Sequence, residues 1–216
     1  MYSLPVTEVI AFVRKSIDEL EENASSAYSL ETDDLAIDSI TKQSIVEAIT
    51  LTHSASNSSR LDGKTAKLTT DYTVDVVDGV ATIKMNTEIL RIVSVRCSDS
   101  PVVVTSVLEE DSAEARMQNN PHIRGRNDNP ILVLVRGESS SNKPTLKYYS
   151  TLEPTGEATT FSIEYIPKPI DGSDTYLICE DLKFAVLNMV VSLVMSSFKE
   201  TEVAGIFQQR ALTFTK

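Results

Sequence analysis

YTVDVVDGVATIKM, residues 72–85, holds two runs of alternating apolar and polar side chains with Asp78 and Gly79 between them. Asp-Gly between two alternating runs is a strong short-range signal for a β-hairpin. ILVLVRG and LKYYST, on either side of the polar connection ESSSNKP, are predicted to form a second hairpin. Further strands are predicted over residues 89–97, 131–137, 146–151 and 159–167. Residues 101–107 are predicted either to pair with the strand of residues 89–97 or to cover it.

Both ends of the chain have helical patterns. The first segment has Thr7 as a candidate N-cap, Glu8 in the first turn, and apolar residues at helical spacing at Ile10, Val13, Ile17 and Leu20. A second helix is predicted over about residues 34–53, capped by Asp33 or Asp34, with SASNSSR after it as a loop. From Tyr176 onward the pattern is helical again, with an almost wholly buried helix in residues 184–195 and another helix after it.

Strands clustered between helical ends favour an α+β fold with antiparallel pairing over a doubly wound parallel sheet. The prediction is an N-terminal helix pair, a central antiparallel β region with hairpins and one short helix, and a C-terminal helix pair. Residues 1–60 and 176–216 are predicted to form a helical core domain. Residues 61–175 are predicted to be an inserted antiparallel β region with protruding loops.

Charge is the most informative part of the composition. The chain has 216 residues, 41% apolar content and a net charge of −11. An acidic chain repels phosphates, so groove-reading nucleic-acid binding is disfavoured. Residues 1–38 carry nine acidic and two basic residues, a net −7, whereas residues 116–147 carry six basic and two acidic residues, a net +4. Opposite charges on one chain suit head-to-tail self-association, although solvated faces would give the same pattern.

Sequence signatures of catalysis are missing. The seven glycines are too far apart for a phosphate-binding loop, and no GxSxG motif or metal-binding box occurs. His53 is predicted to cap or pack at a helix end, and His122 to be solvated or to contact a partner. The cysteines, Cys97 and Cys179, suit buried thiols in a reducing compartment. We therefore predict a protein that is not an enzyme and needs no cofactor.

Three acidic residues precede the short helix: Glu109, Glu110 and Asp111. Without spaced oxygen ligands and a tight glycine turn, they are predicted to be a solvated helix start rather than a cation site. The segment 184–195 is too short to cross a bilayer, and the N-terminus lacks the features of a signal peptide. No membrane association is predicted.

MQNNPHIRGRNDNP, residues 117–130, follows this helix, which is predicted to be capped by Asp111 or Ser112 and to run through Asn119. The stretch has no helical or strand period. Loops of about a dozen residues without their own structure are usually functional or disordered. We interpret it as an arm that reaches a neighbouring subunit, because no aromatic residue is present to stack on bases.

Several long stretches resemble one family. They are EILRIVSVRCSD, then PVVVTSVLEEDSAEARMQNNPHIRGRNDNPILVLV, then LKYYS, and finally YIPKPIDGSDTYLICEDLKFAVLNMVVSLVMSSFKETEVAGIFQQRA. Together they resemble the head-to-tail adaptor, or connector ring, proteins of tailed bacteriophages, including the tail-tubular A type of podoviruses and the ring proteins of crAss-like phages. The resemblance covers roughly residues 7–211. MNTEIL departs from it, because a proline-containing turn is expected before that strand.

This resemblance implies a structural virion protein at the portal vertex, made in the cytoplasm of the host bacterium. Copies would form a homo-oligomeric ring, commonly a dodecamer in this family, below the portal protein. The ring would extend the channel for genomic DNA without binding it specifically, and would dock further tail or ring proteins. An acidic channel fits this role because it repels the passing phosphates.

Three sets of residues are predicted to serve these contacts. The subunit or partner contact set is His122, Arg124, Arg126, Asn127 and Arg136. Within it, Arg124 and Arg126 are predicted to make bidentate contacts to carboxylates of a neighbouring subunit or of the next ring. The portal-docking set is Arg210, Phe214 and Lys216. The acidic channel or interface face is Asp18, Glu19, Glu21, Glu22, Asp33 and Asp34.

Two further interpretations stay open from the sequence. One is a monomeric acidic domain that binds a basic protein partner. The other is a hydrolase whose site is assembled from distant polar residues.

Overall fold

The computed structural model describes residues 1–23, 34–67, 70–135, 143–150 and 160–216. The chain divides into two compact units. Met1–Asp62 together with Pro169–Lys216 form the first, called here the helical unit, and Gly63–Lys168 form the second, called here the β unit. The fold is α+β, with helices at both ends of the chain and antiparallel sheets between them.

The secondary structure elements of the described residues are as follows. The α-helices are α1 (Val6–Asn23), α2 (Asp34–Ala55), α3 (Ala113–Met117), α4 (Lys183–Ser197) and α5 (Thr201–Thr213). The strands are β1 (Tyr2–Pro5), β2 (Lys64–Thr65), β3 (Tyr72–Val77), β4 (Val80–Met85), β5 (Ile89–Cys97), β6 (Val103–Val104), β7 (Val107–Glu109), β8 (Ile131–Val135), β9 (Thr145–Tyr149), β10 (Phe161–Pro167) and β11 (Thr175–Ile178).

Helix α4 forms the centre of the helical unit, as its apolar sequence predicts. Ten of its fifteen residues are buried, including the polar Asn188 and Ser192. Each polar side chain bonds a backbone carbonyl: Asn188 Nδ2 donates to Phe184 O at 2.7 Å, and Ser192 Oγ donates to Ala204 O at 2.8 Å. Apolar residues of α1, α2 and α5 join α4 in one core. Burial on this scale is the dominant stabilising term for such a unit.

A two-stranded antiparallel ribbon in the helical unit differs from the sequence prediction. Strand β1 pairs with β11, with Tyr2 opposite Ile178 and Pro5 opposite Thr175. The prediction that the chain becomes helical from Tyr176 is therefore wrong, because Tyr176 lies in β11 and α4 begins at Lys183. Four-residue strands carry too little periodicity to be recognised, and their partners are far apart in sequence.

Strands β3 and β4 confirm the predicted hairpin. Their register is unbroken from the pair of Tyr72 and Met85 to the pair of Val77 and Val80. Its turn residues have positive φ, 51° at Asp78 and 73° at Gly79. Those angles belong to the turn type whose twist matches the flanking strands. The second predicted hairpin is confirmed by the antiparallel pairing of β8 with β9. Its polar connection, residues 136–142, lies outside the described residues.

Two sheets share the core of the β unit. Counted over the described residues, one has four strands in the order β2-β10-β5-β6 and the other has five in the order β3-β4-β9-β8-β7. Apolar residues from both sheets meet in one cluster, which contains Ile83, Leu132, Tyr148 and Ile163. The opposite face of the five-stranded sheet packs Val133 and Tyr149 against Ala115 of α3. Strand β7 runs parallel to β8, an exception to the predicted antiparallel pairing.

Smaller differences concern element ends. Ser112 caps α3, accepting from Ala115 N at 3.2 Å, and the helix ends at Met117 rather than Asn119. The predicted loop after α2 begins later than expected, since Ala55 still belongs to the helix and Ser58–Arg60 form a short 3-10 helix. Strand β6 pairs with β5, as one of the two sequence alternatives expected.

Candidate functional site

The polar loop, residues 117–130, crosses the β unit after α3, and its first fixed point is Gln118. The Gln118 side chain is buried. Its Nε2 donates to Glu114 O at 3.0 Å, and its Oε1 accepts from Gly125 N at 2.8 Å. One amide side chain thus joins the end of α3 to the middle of the loop.

Arg124 is the second fixed point. Its Nε donates to Gln118 O at 3.1 Å, and its Nη1 donates to Asp78 O at 2.8 Å in the β3–β4 turn. The guanidinium carbon lies 5.8 Å from the ring centroid of Tyr149, within the range of a cation–π contact. Hydrogen bonds from a charged donor are stronger than neutral ones, so Arg124 ties the loop to the hairpin.

Gly125 is held where a side chain would not fit. A Cβ at this position would lie 2.6 Å from Tyr149 O and 3.0 Å from Ile131 N. Both are backbone atoms of paired strands, β9 and β8, which cannot move independently. Close approach of the loop backbone to the sheet therefore requires glycine at residue 125.

Asn127 attaches the far end of the loop to both sheets. Its backbone oxygen accepts from Ser100 Oγ at 2.8 Å, and its Oδ1 accepts from Ser150 Oγ at 2.7 Å. Ser100 lies between β5 and β6, and Ser150 follows β9; both are buried. Next to this attachment, Arg126 N and Asn129 O pair in a β-bridge. The polar composition of the loop thus serves, in large part, to satisfy buried donors and acceptors.

Several side chains of the loop are exposed to solvent. His122 and Arg126 are exposed. Met117 and Ile123 are each 54% exposed although they are apolar. We call these four side chains the outer face of the loop. Among the predicted partner-contact residues, the structure therefore separates His122 and Arg126, which are on this face, from Arg124 and Asn127, which bind within the β unit. Arg136 lies outside the described residues.

The sequence did not predict that Gln118, Ser100 and Ser150 support the loop. It also did not predict that Met117 and Ile123 are exposed apolar residues. A signal was available for the last two, since Met117 and Ile123 are the apolar side chains of an otherwise polar stretch. No signal marked the two serines, which are distant in sequence from the loop.

The C-terminal residues are attached to the helical unit. Arg60 Nη1 donates to Phe214 O at 2.9 Å, and Asn57 N donates to Thr215 O at 3.1 Å. Thr215 is buried, and Lys216 is exposed. The backbone of the last residues is thus hydrogen-bonded to the segment that follows α2.

Two aromatic rings form a surface pair beside this attachment. Phe214, 40% exposed, lies 6.1 Å from Phe184, 55% exposed, measured between ring centroids. The Arg210 guanidinium carbon lies 5.2 Å from the ring centroid of Phe207 on the same helix, and Arg210 is exposed. The predicted docking residues thus include one member of an exposed aromatic pair, whose second member, Phe184, the sequence analysis did not identify.

The acidic residues of the predicted channel or interface face are only partly described. Asp18 and Glu19 are exposed on α1, with Glu19 Oε1 3.6 Å from Lys15 Nζ. Asp33, and the side chains of Glu21, Glu22 and Asp34, lie outside the described residues. Other acidic residues of the helical unit have closer partners: Asp38 is bonded by Arg14 at 2.9 Å, and Glu8 by Lys183 at 2.5 Å.

His53 and the two cysteines, Cys97 and Cys179, are buried. His53 is fully buried; its Nε2 accepts from Cys179 N at 3.2 Å and its Nδ1 lies 2.9 Å from Ile49 O. This pair of bonds fits the neutral imidazole with its hydrogen on Nδ1, so His53 joins α2 to the end of β11. Burial raises the pKa of both Cys97 and Cys179 thiols, which lowers the thiolate fraction that a nucleophile requires.

Glu109, Glu110 and Asp111 line an open surface cleft of about 630 Å³ together with Arg116 and Leu134. Among the described side chains, no group of three or more His, Cys, Asp and Glu residues could hold a metal ion. Within the same part of the chain, no helix has the length and apolar character needed to span a membrane.

Neither a protein-family model nor a curated protein sequence matches this chain.

Proposed function

We propose that this protein is the subunit of a head-to-tail connector ring in a tailed bacteriophage. The observation that carries the proposal is the opposition of charge on one chain, −7 over residues 1–38 and +4 over residues 116–147. Complementary patches on identical copies favour heterologous contacts, which close into a ring when the rotation between neighbours permits. The resemblance of several sequence stretches to connector proteins supports the same assignment.

The acidic balance of the chain suits a conduit for DNA. Protein cations that neutralise phosphates release counterions and generate affinity, which would hold DNA in place. Copies with a net charge of −11 arranged around a channel would instead repel the phosphates. The passing genome then needs no specific binding, and the protein needs neither a catalytic site nor a cofactor.

The surface around Phe214 supplies a candidate for portal docking. Two half-exposed aromatic rings, Phe184 and Phe214, form a pair, and the exposed Arg210 and Lys216 lie four residues before and two residues after Phe214 in the chain. Aromatic residues and arginine are enriched in protein interfaces. In this proposal the pair contacts the portal protein, and the ring, a dodecamer in the commonest arrangement, also receives further tail or ring proteins at the portal vertex of the virion.

The test is electron microscopy of the protein in its native assembly. We expect rotational symmetry around a channel below the portal, with acidic side chains facing the channel. A single copy of the chain, or a channel lined by lysine and arginine, would overturn the proposal. A single copy would favour the monomeric acidic interaction domain instead.

Docking at the portal is tested separately with Phe214→Ala and Phe184→Ala in a reconstituted portal complex. Both variants keep the hydrogen bonds of the C-terminal backbone to Arg60 and Asn57. Reduced portal attachment of both, with Ile206→Ala as an exposed apolar control on α5, is the expected result. Equal attachment of all three variants and the wild type would remove this surface from the proposal.

A further inference from the structure

We propose that the outer face of the polar loop docks on the acidic surface of α1 in a second copy of this chain, and that Arg124 takes no part in that contact. This rests on the proposed function, which requires identical copies to associate head to tail. In this contact Arg126 binds the second copy, whereas Arg124 binds within its own β unit.

The loop is preorganised for such a contact. Gln118, Arg124, Gly125 and Asn127 hold its backbone through hydrogen bonds to α3, the β3–β4 turn and both sheets. Binding by a segment that is already ordered avoids the entropy cost of ordering it. The loop is therefore an ordered part of the β unit rather than a flexible arm.

The composition of the outer face fits a protein partner. Met117 and Ile123 each leave about half of their side chain in water, and Arg126 and His122 are exposed within the same loop. Methionine and arginine are enriched in protein interfaces, whereas lysine and glutamate are depleted. No aromatic residue in residues 117–130 could stack on a base, so the face lacks what single-stranded nucleic acid requires.

The charge of the outer face selects α1 as the partner surface. Glu8 and Asp38 are already engaged by Lys183 and Arg14. Asp18 and Glu19 are both exposed on α1, and they belong to residues 1–38, whose net charge is −7. Glu19 Oε1 also lies 3.6 Å from Lys15 Nζ. A guanidinium can bind a carboxylate through two parallel hydrogen bonds, and the exposed Arg126 is accessible to a partner's carboxylate. The acidic surface of α1 in one copy thus complements the cationic, partly apolar outer face of the loop in another copy.

A reciprocal charge exchange tests the contact. Arg126→Glu makes the loop face acidic, and Asp18→Lys with Glu19→Lys makes the α1 surface basic. Each variant alone should assemble on the portal at least ten-fold less efficiently than the wild type, because every contact then joins like charges. An equimolar mixture of the two variants should recover assembly, since each neighbour then presents the opposite charge.

Arg124→Ala serves as the matched control for Arg126→Ala. The first should lower the melting temperature of the protein by several degrees, because two backbone carbonyls lose their partner. The second should leave the melting temperature unchanged and weaken assembly. Equal effects of the two variants on both measurements would contradict the separation of roles.

A photo-crosslinker at position 123 tests the contact directly, without a requirement for complete rings. In a mixture of isotopically labelled and unlabelled protein, mass spectrometry should find a crosslink between position 123 of one copy and α1 of another. If rings form normally with Arg126→Glu and no crosslink reaches α1, the contact is wrong while the connector function stands. If the wild type forms no ring with the portal, the proposed function fails, and an α1 crosslink would still establish self-association through these surfaces.

Discussion

The helical unit and the β unit place their polar side chains in different ways around their cores. In the helical unit, α4 is surrounded by apolar residues, and its buried Asn188 and Ser192 donate to backbone carbonyls of the same unit. In the β unit, a loop rich in amide and guanidinium groups joins two sheets through Arg124 and Asn127. A polar stretch can therefore be a structural support. Its composition alone does not tell which of its side chains face a partner.

The largest expected effect concerns the apolar core of the helical unit. Leu187→Ala, at a buried position of α4, should lower the free energy of unfolding by about 2–5 kcal/mol through lost burial and a residual cavity. Phe184→Ala, at a half-exposed position of the same helix, should cost much less. Chemical denaturation with hydrogen-exchange mass spectrometry checks this, with faster exchange expected in peptides of the helical unit. Equal costs at the two positions would contradict the central place of α4.

Two glycine substitutions, one in each unit, are expected to change stability in opposite directions. Gly125→Ala should destabilise it by about 1–3 kcal/mol, because the added Cβ would meet the backbone of β9 and β8. Gly205→Ala, in the interior of α5 with nothing within 4 Å of the new Cβ, should stabilise the helical unit by about 0.5–1 kcal/mol. Opposite shifts in denaturation midpoint are expected. A stabilising Gly125→Ala would mean that the loop does not approach the sheet as closely as described.

Removal of one hydrogen bond tests whether the loop holds the two sheets together. Asn127→Ala deletes the acceptor for Ser150 Oγ and should cost about 1–2 kcal/mol, since Ser150 is buried. Asn119→Ala, at an exposed position near the start of the loop, should change the stability by less than about 0.5 kcal/mol. Hydrogen exchange localised to β9 and to the β5–β6 connection would distinguish this loss from a general loss of stability.

The smallest expected effect is a pH dependence in the helical unit. The hydrogen bond from Lys183, and then that from Tyr2, hold the pKa of Glu8 below its usual range. The folded state therefore favours the ionised carboxyl, and this stabilisation is present above the unfolded pKa. It is lost as the pH falls through the lower, folded pKa, so the decline lies below about pH 4.

Glu8→Gln is the matched variant for this pH effect. It should reduce stability slightly at neutral pH and flatten the dependence of the melting temperature on pH in the acid range. Asp18→Asn, at an exposed position of the same helix, serves as the control. A Glu8→Gln protein with the same acid dependence as the wild type would show that the ion pair contributes nothing.

Local signals account for the part of the fold that sequence predicted. The β3–β4 hairpin follows from Asp78 and Gly79, which accept positive φ, and α4 follows from a long apolar run. The ribbon of β1 and β11 was missed, because its pairing joins Tyr2 to Ile178 and neither four-residue strand has a distinctive period. The parallel pairing of β7 with β8 was missed for the same reason, since short strands do not encode their direction.

The candidate site was predictable in outline but not in its details. The irregular, polar sequence of residues 117–130 correctly marked a loop between α3 and β8. Arg124 and Arg126 are separated by one glycine and are indistinguishable by composition. The inward guanidinium differs from the exposed one through its contacts with Gln118 O, the Tyr149 ring and the Asp78 carbonyl, which lies forty-six residues earlier in the chain.

The order of the two units along the chain has a consequence for synthesis on the ribosome. The β unit is a continuous segment, Gly63–Lys168, whereas the helical unit consists of residues on both sides of it. Helices α1 and α2 are translated before the β unit, whereas β11, α4 and α5, which complete their core, are translated after it. The nascent chain can therefore complete its inserted segment while the apolar faces of α1 and α2 still lack the residues of α4 and α5 that cover them.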